Sequence, residues 1–228
     1  KRWTKEQKQI IRDSRIKSTR LLSGALAKLS HKPKVFISAS AIGFYGDRPN
    51  EMLHEAAMPN QGDYLSHLCQ DWEDAANPAK EAGIRVVHPR FGVILSPKGG
   101  AMSKLLTPFQ LGAGGIIGSG KQVMSWIALD DVIYALHYLL INDKISGAVN
   151  FTSPNSVTNR EFTKALGKVL SRPTIFPLPS FAAKLALGEM ADALLLASTK
   201  AKPAALLEAG FKFSYPRIDE ALKHLLGR

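Results

Sequence analysis

Cysteine is nearly absent. Cys69 stands alone among 228 residues, which excludes an internal disulfide framework and a cysteine-rich zinc site. Such usage favours a reducing cytoplasm. Long apolar runs are missing too. No stretch approaches the roughly 20 residues that a membrane-spanning helix needs. The richest, FAAKLALGEMADALLLA over 181–197, is broken by Lys184, Glu189 and Asp192 and reads as amphipathic helix. His67 and His88 have no partner at ligand spacing, so no metal site is expected. No glycine-rich turn joins a strand to a helix. The one glycine cluster, GAGGIIGSGK over 112–121, follows a helical pattern, and Lys121 is followed by Gln122 rather than Ser or Thr, so it has no phosphate-loop spacing. Acids are scarce at one end. Residues 1–34 hold eleven Lys/Arg against Glu6 and Asp13, whereas residues 47–81 hold eight acids against Arg48 and Lys80. A basic end attracts polyanions. This one lacks interleaved aromatics and any known nucleic-acid motif, so a solvated helix face is expected and nucleic-acid binding is not.

What is present is globular: 45% hydrophobic and 21% charged residues, enough for one sizeable core with a small second lobe. Periodicity predicts a helix over 5–29, a buried strand over 35–40, a polar loop over 47–62 and a helix over 64–83. A strand over 84–95 follows, then helices over 102–112 and 130–143 and a strand over 147–153. Asp130 and Asp131 suit a helix N-terminus. Thr158 with Glu161 makes a capping box that opens a helix over 159–171. The remainder reads as helical, ending with 217–227. Alternating helices and strands argue a parallel sheet wrapped by helices, an α/β fold.

The stretch SASAIGFYG (38–46) ends a buried strand in hydroxyls. It resembles the Ser-Ser-x-x-x-Tyr-Gly strand end of the extended short-chain dehydrogenase/reductase superfamily. RIKSTRLLSGAL (15–26), PRFGVILSP (89–97) and GSGKQVMSWIALDDV (118–132) resemble other segments of it. More narrowly, Arg2, Trp3, Thr4, Ser14 and Arg15, the LCQDWE helix and the GEMADALLLAS…LLEAGFKFSYP segment (188–216) resemble the epimerase-like branch that includes cell-division-inhibitor (SulA-like) homologues. The resemblance implies a doubly wound Rossmann-like domain over 1–153 and a helical substrate lobe over 154–228. In that family a segment with a Gly-x-x-Gly-x-x-Gly phosphate loop precedes the equivalent of Lys1, so the resemblance implies an N-terminally truncated chain.

The superfamily's chemistry uses a Tyr and a Lys four residues apart on a helix. Aligned through Glu73, those positions hold Leu65 and Cys69, with Tyr64 one residue out of register. A one-residue shift turns a helical side chain by about 100°. The resemblance places the substrate-orienting serine at Ser40. Tyr45 is the other candidate catalytic hydroxyl, its alternative being a packed aromatic. Arg15 stands at the family's Asn position and offers a planar cation to phosphate or ribose. With Ser38, Arg90, Val93 and Ile94 it forms the expected cofactor side, and it favours NADP(H) over NAD(H). Gln122, Ser125 and Trp126 are the expected substrate contacts. Two readings of function stay open. One is an NAD(P)-dependent oxidoreductase or epimerase acting on a small or sugar-nucleotide-like substrate. The other is a non-catalytic NADP(H)-binding protein with a regulatory or cell-division-related partner.

Overall fold

The computed structural model describes residues 2–228. Helix α1 (Lys5–Ala27) opens where the Thr4 hydroxyl accepts the Gln7 amide at 3.2 Å. Strand β1 (Val35–Ile37) continues as β2 (Ser40–Ala41), and a 3₁₀ turn (Ile42–Tyr45) leads to β3 (Arg48–Leu53). Helices α2 (Tyr64–Asp74) and α3 (Asn77–Glu81) precede β4 (Arg85–Phe91) and β5 (Val93–Leu95). Then come α4 (Gly100–Gln110), β6 (Val123–Met124), β7 (Trp126–Ala128), α5 (Leu129–Ile141), β8 (Gly147–Phe151) and β9 (Val157–Thr158). The chain ends with α6 (Asn159–Leu170), α7 (Ser180–Leu187), the single turn α8 (Glu189–Ala191), β10 (Thr199–Ala201), α9 (Ala204–Glu208) and α10 (Ile218–Leu225).

The main sheet is parallel. β4 lies at its centre, with β1 and β2 in succession along one side and β8 along the other. Alternation along β4 sorts the side chains. Val86 packs with Phe36 and Leu26 against Ala76 and Ala79, while Val87 joins Val35, Ile37, Ala135 and Leu139 on the opposite face. Helices therefore cover both faces of a parallel sheet, the α/β Rossmann-like arrangement that the alternating elements implied.

The departures have local causes. The predicted strand over 35–40 breaks at Ser38, whose amide nevertheless reaches Val87 O at 2.9 Å. The predicted loop over 47–62 contains β3, which pairs in parallel with β10. Arg48, Pro49, Asn50 and Glu51 gave no strand signal, because β3 is an exposed edge where proline and charge are tolerated. The predicted helix over 64–83 divides at Ala75–Ala76, and Pro78 lies in the first turn of α3. Residues 154–228 contribute two strands as well as helices. One apolar core joins Leu95, Met102, Phe109 and Trp126 to Phe162, Leu166 and Leu222 across residue 153.

Candidate active site

Ligands of open parallel sheets gather beyond the carboxyl ends of the strands. At that end Ser40 of β2, Arg90 of β4 and Asn150 of β8 stand in register as one row across three adjacent strands. All three are buried. A buried charge needs a partner, and α2 supplies it. Its N-terminus is capped by Asp63, which accepts the Leu65 amide at 3.1 Å. From its last turn, Glu73 reaches the row.

Arg90 donates from Nε and Nη2 to the two Glu73 oxygens at 2.8 and 2.9 Å, a bidentate pair. Ser40 Oγ donates to Glu73 Oε1 at 2.6 Å. Arg90 Nη1 donates to the Tyr45 hydroxyl at 3.0 Å and to Glu55 O at 3.2 Å. The guanidinium also lies 3.4 Å from the centre of the Phe44 ring. Tyr45 passes the chain on, donating to Asn150 Oδ1 at 2.8 Å. Asn150 in turn donates to Lys202 O, and its amide, like that of Ala205, is accepted by Glu55 Oε1.

The electrostatics follow from burial. Burial pushes the Tyr45 phenol above its ordinary value, with the Arg90 cation opposing. Tyr45 is therefore a neutral phenol with no exposed surface. Burial works against the Arg90 charge, but Glu73 outweighs it and holds the guanidinium above its ordinary value. Cys69, at the family's Lys position, is buried and its thiol is pushed up to about 11. It is neutral at physiological pH and cannot stand in for a cation.

The other expected site residues are divided. Arg15 lies on α1 with its guanidinium 5.4 Å from the Trp72 ring centre, donating to Ile11 O and Ser14 Oγ of its own helix. Ser38 is buried where β1 breaks. Val93 and Ile94 pair with Trp126 and Ile127 of β7. Gly92 before them permits this approach, since a Cβ there would lie 2.7 Å from Ser125 O. Ser125 is turned inward, donating to Thr199 O at 2.8 Å and accepting the Ala201 amide at 2.9 Å, so it braces β10. Trp126 is a core residue with no exposed surface, its indole N–H held by Asn155 O at 2.9 Å. Tyr64 is spent on Lys8 O at 2.9 Å. Asp131 does not cap α5; its two oxygens accept the Ser214 and Tyr215 amides and fasten the C-terminal segment.

Of the three expected substrate residues, only Gln122 lines a cleft. This cleft, about 670 Å³, lies between Asp47, Asn60, Gly62 and Asp63 on one side and Ser180, Lys184, Glu189 and Leu196 on the other. Sequence reasoning missed Glu73, Glu55 and Asn150. Glu73 had been used only to align the helix, though its spacing four residues after Cys69 put it on the face that meets β4.

Comparison with known proteins places this geometry. Residues 1–151 match the NAD dependent epimerase/dehydratase family, and residues 178–225 match a domain of unknown function, DUF1731. An epimerase family protein of Mycobacterium leprae is 44% identical over 228 residues, all of this chain and 73% of that protein. The chain belongs to the NAD dependent epimerase/dehydratase family. Within that family, the epimerase family protein YfhF of Bacillus subtilis is 38% identical over 225 residues, 99% of this chain and 74% of that protein. Human epimerase family protein SDR39U1, solved with NADPH, superposes with a TM-score of 0.96 at 32% identity over 100% of this chain and 77% of that one. A nucleoside-diphosphate sugar epimerase of Corynebacterium glutamicum gives 0.81 at 36% identity, over 100% of this chain and 44% of that one.

Whether the family's dinucleotide suits these residues can be tested on the strand ends. A buried serine hydroxyl, the Val93–Ile94 backbone and the Arg15 cation suit a ribosyl-nicotinamide end. Among the described residues, no glycine-rich strand-to-helix turn offers a pyrophosphate cradle. The first turn of α5 carries Asp130 and Asp131, and α2 is capped by Asp63, so both of these N-termini are already anionic. The fit therefore extends to the nicotinamide end.

Proposed function

We propose that the protein is an NADP(H)-dependent oxidoreductase or epimerase-like enzyme in which Ser40 orients the reacting oxygen of a small molecule. The observation that carries this reading is the Ser40–Glu73–Arg90 row at the carboxyl ends of the parallel strands. The cofactor, when bound, supplies hydride transfer. The chain's residues supply orientation. Glu73, fixed by the Arg90 fork, holds the Ser40 hydroxyl in one rotamer. A substrate oxygen arriving at Ser40 meets a donor whose position is set beforehand. Tyr45 and Arg90 act as positioning residues beneath it, and a water supplies the proton that a solvent-facing tyrosine would otherwise give. Arg15, Ser38, Val93 and Ile94 form the cofactor side. Support for NADP(H) comes from the Arg15 cation and from the NADPH held by the human relative.

The experiment is a calorimetric titration of the protein with NADPH and NADH, on wild type and Arg15→Ala. NADPH binds more tightly than NADH, and Arg15→Ala weakens NADPH about tenfold or more, the range for a hydrogen bond to a charged group. Binding of neither dinucleotide overturns the reading. A second reading, a non-catalytic NADP(H)-binding protein with a regulatory or cell-division partner, is favoured by Leu65 and Cys69 at the usual Tyr and Lys positions. NADPH binding with no turnover of any carbonyl or alcohol panel would select it.

A further inference from the structure

The cleft beside the row has a chemistry of its own, and it rests on the proposed reading only in being taken as the substrate side. Its lining carries four carboxylates, Asp47, Asp63, Glu189 and Asp192, and one cation, Lys184. That cation is already committed to Asp192 at 2.8 Å. Glu189 is held by Lys8 through both oxygens at 2.6 Å. Asp47 spends Oδ1 on the Ser198 amide, and Asp63 spends Oδ1 on the Leu65 amide. Among the described residues, the Oδ2 of each has no hydrogen-bond partner.

Gln122 gives a second and independent indication. Its side-chain N–H₂ donates to Ile117 O and Leu195 O, both at 3.0 Å. Two backbone carbonyls thus fix which way the amide points. Its Oε1, without a partner among the described residues, remains as an acceptor for the cleft. The uncommitted polar atoms identified here, Asp47 Oδ2, Asp63 Oδ2 and Gln122 Oε1, are all acceptors. Formal charge runs the same way: the lining is acidic in a chain whose net charge is +11.

A phosphate or diphosphate brings only acceptors and negative charge. It would meet carboxylates with no free cation to offset them, and burying such a pair is costly. A molecule with several hydroxyls and an ammonium brings the complementary set. We infer that this cleft takes a phosphate-free, donor-rich small molecule carrying an amine, such as an amino sugar or amino alcohol, rather than a nucleoside diphosphate sugar. Asp47, Asp63 and Gln122 are then the specificity-determining residues.

The test titrates the protein with glucosamine, glucose and UDP-glucose by calorimetry, on wild type, Asp47→Asn and Asp63→Asn. Both substitutions keep an acceptor oxygen, and asparagine caps a helix as well as aspartate does, so the fold is retained. Glucosamine is expected to bind saturably and about tenfold more tightly than glucose. Each substitution should reduce that preference about threefold or more, added salt should weaken it, and UDP-glucose should bind least. UDP-glucose binding more tightly than glucosamine, or no saturable glucosamine binding up to tens of millimolar, overturns the inference. Titration of NADPH on the same samples separates the two questions. Dinucleotide binding without amine preference sinks only this inference, whereas loss of dinucleotide binding sinks the reading beneath it.

Discussion

Arg90→Met breaks the network at its centre, and its cost can be worked from the contacts. The Arg90 side chain is 5% exposed and its partner Glu73 14%, so neither charge is screened by water. Removing the guanidinium strands both Glu73 oxygens, the Tyr45 oxygen and Glu55 O, four acceptors that it now serves. Breaking a buried pair from one side costs about 3–5 kcal/mol. For a protein of this size that corresponds to a fall in Tm of roughly 6–20 °C. The double variant Arg90→Met with Glu73→Leu removes both charges together and leaves Ser40 and Tyr45 short of partners. It should therefore cost about 2 kcal/mol less than the sum of the two single variants. Urea unfolding followed by circular dichroism gives all four corners of the cycle. If Arg90→Met costs under about 1 kcal/mol, or if the two single costs simply add, the row is not the coupled unit described above.

Three further expectations follow from burial and close approach. His88 lies on β4 with its Nδ1 buried and unpartnered, and burial lowers its pKa despite the nearby Glu73 carboxylate. A lowered value means that the unfolded chain takes up the proton first. Stability from this site is present above the ordinary histidine range and is lost as pH falls through it, with a slope of at most about 1.4 kcal/mol per pH unit. His88→Leu should flatten the drop in urea midpoint between pH 7 and 5; an unchanged slope refutes it. The Cys69 thiol, raised to about 11 by burial, should be inert to a thiol reagent at pH 8 in the native state and react on unfolding, as measured by absorbance; fast native labelling contradicts the packing. Gly115 lies where a Cβ would come within 1.7 Å of Phe176 O, so Gly115→Ala must displace the 112–120 loop from the 175–178 segment. We expect a loss of about 1–3 kcal/mol, as for other overpacked sites, read by thermal melting; a wild-type Tm counts against this contact.

What was legible in the sequence is what local rules determine. Thr158 and Glu161 announced α6, and the structure shows both halves of that capping box. The apolar alternation about Val35–Ile37 and Val86–Val87 announced a sheet buried on both faces. β3 was not legible because an exposed edge strand needs no apolar period, and its partner β10 is about 150 residues away. The inward turn of Ser125 and Trp126 was equally hidden. A serine next to a tryptophan in a loop resembles a substrate contact, and only the distant Thr199 and Asn155 carbonyls reveal a brace and a core residue. Glu73 was visible as a residue but not as a partner, because the register that sets Arg90 beside Ser40 belongs to the sheet, not to either segment.

That register also bears on how a site without the usual tyrosine and lysine keeps its serine in place. A lone serine hydroxyl rotates freely among rotamers, and a donor that must find its orientation loses part of its effect. Here Ser40 is held by a carboxylate that cannot itself turn, because two parallel N–H bonds from Arg90 fix its plane. Arg90 is fixed in turn by the Phe44 ring on one side and by Tyr45 and Glu55 at its remaining nitrogen. The chain of constraint runs from three adjacent strands through α2, so orientation at Ser40 is a property of the sheet and helix together. Substituting Tyr45 by phenylalanine would remove one hydrogen bond from this chain and leave the bidentate pair intact, whereas substituting Glu73 would free Ser40 directly. On this argument the missing tyrosine and lysine are answered not by another acid–base pair but by stiffness. That suits a site in which the proton comes from water and the protein's part is to hold one oxygen still.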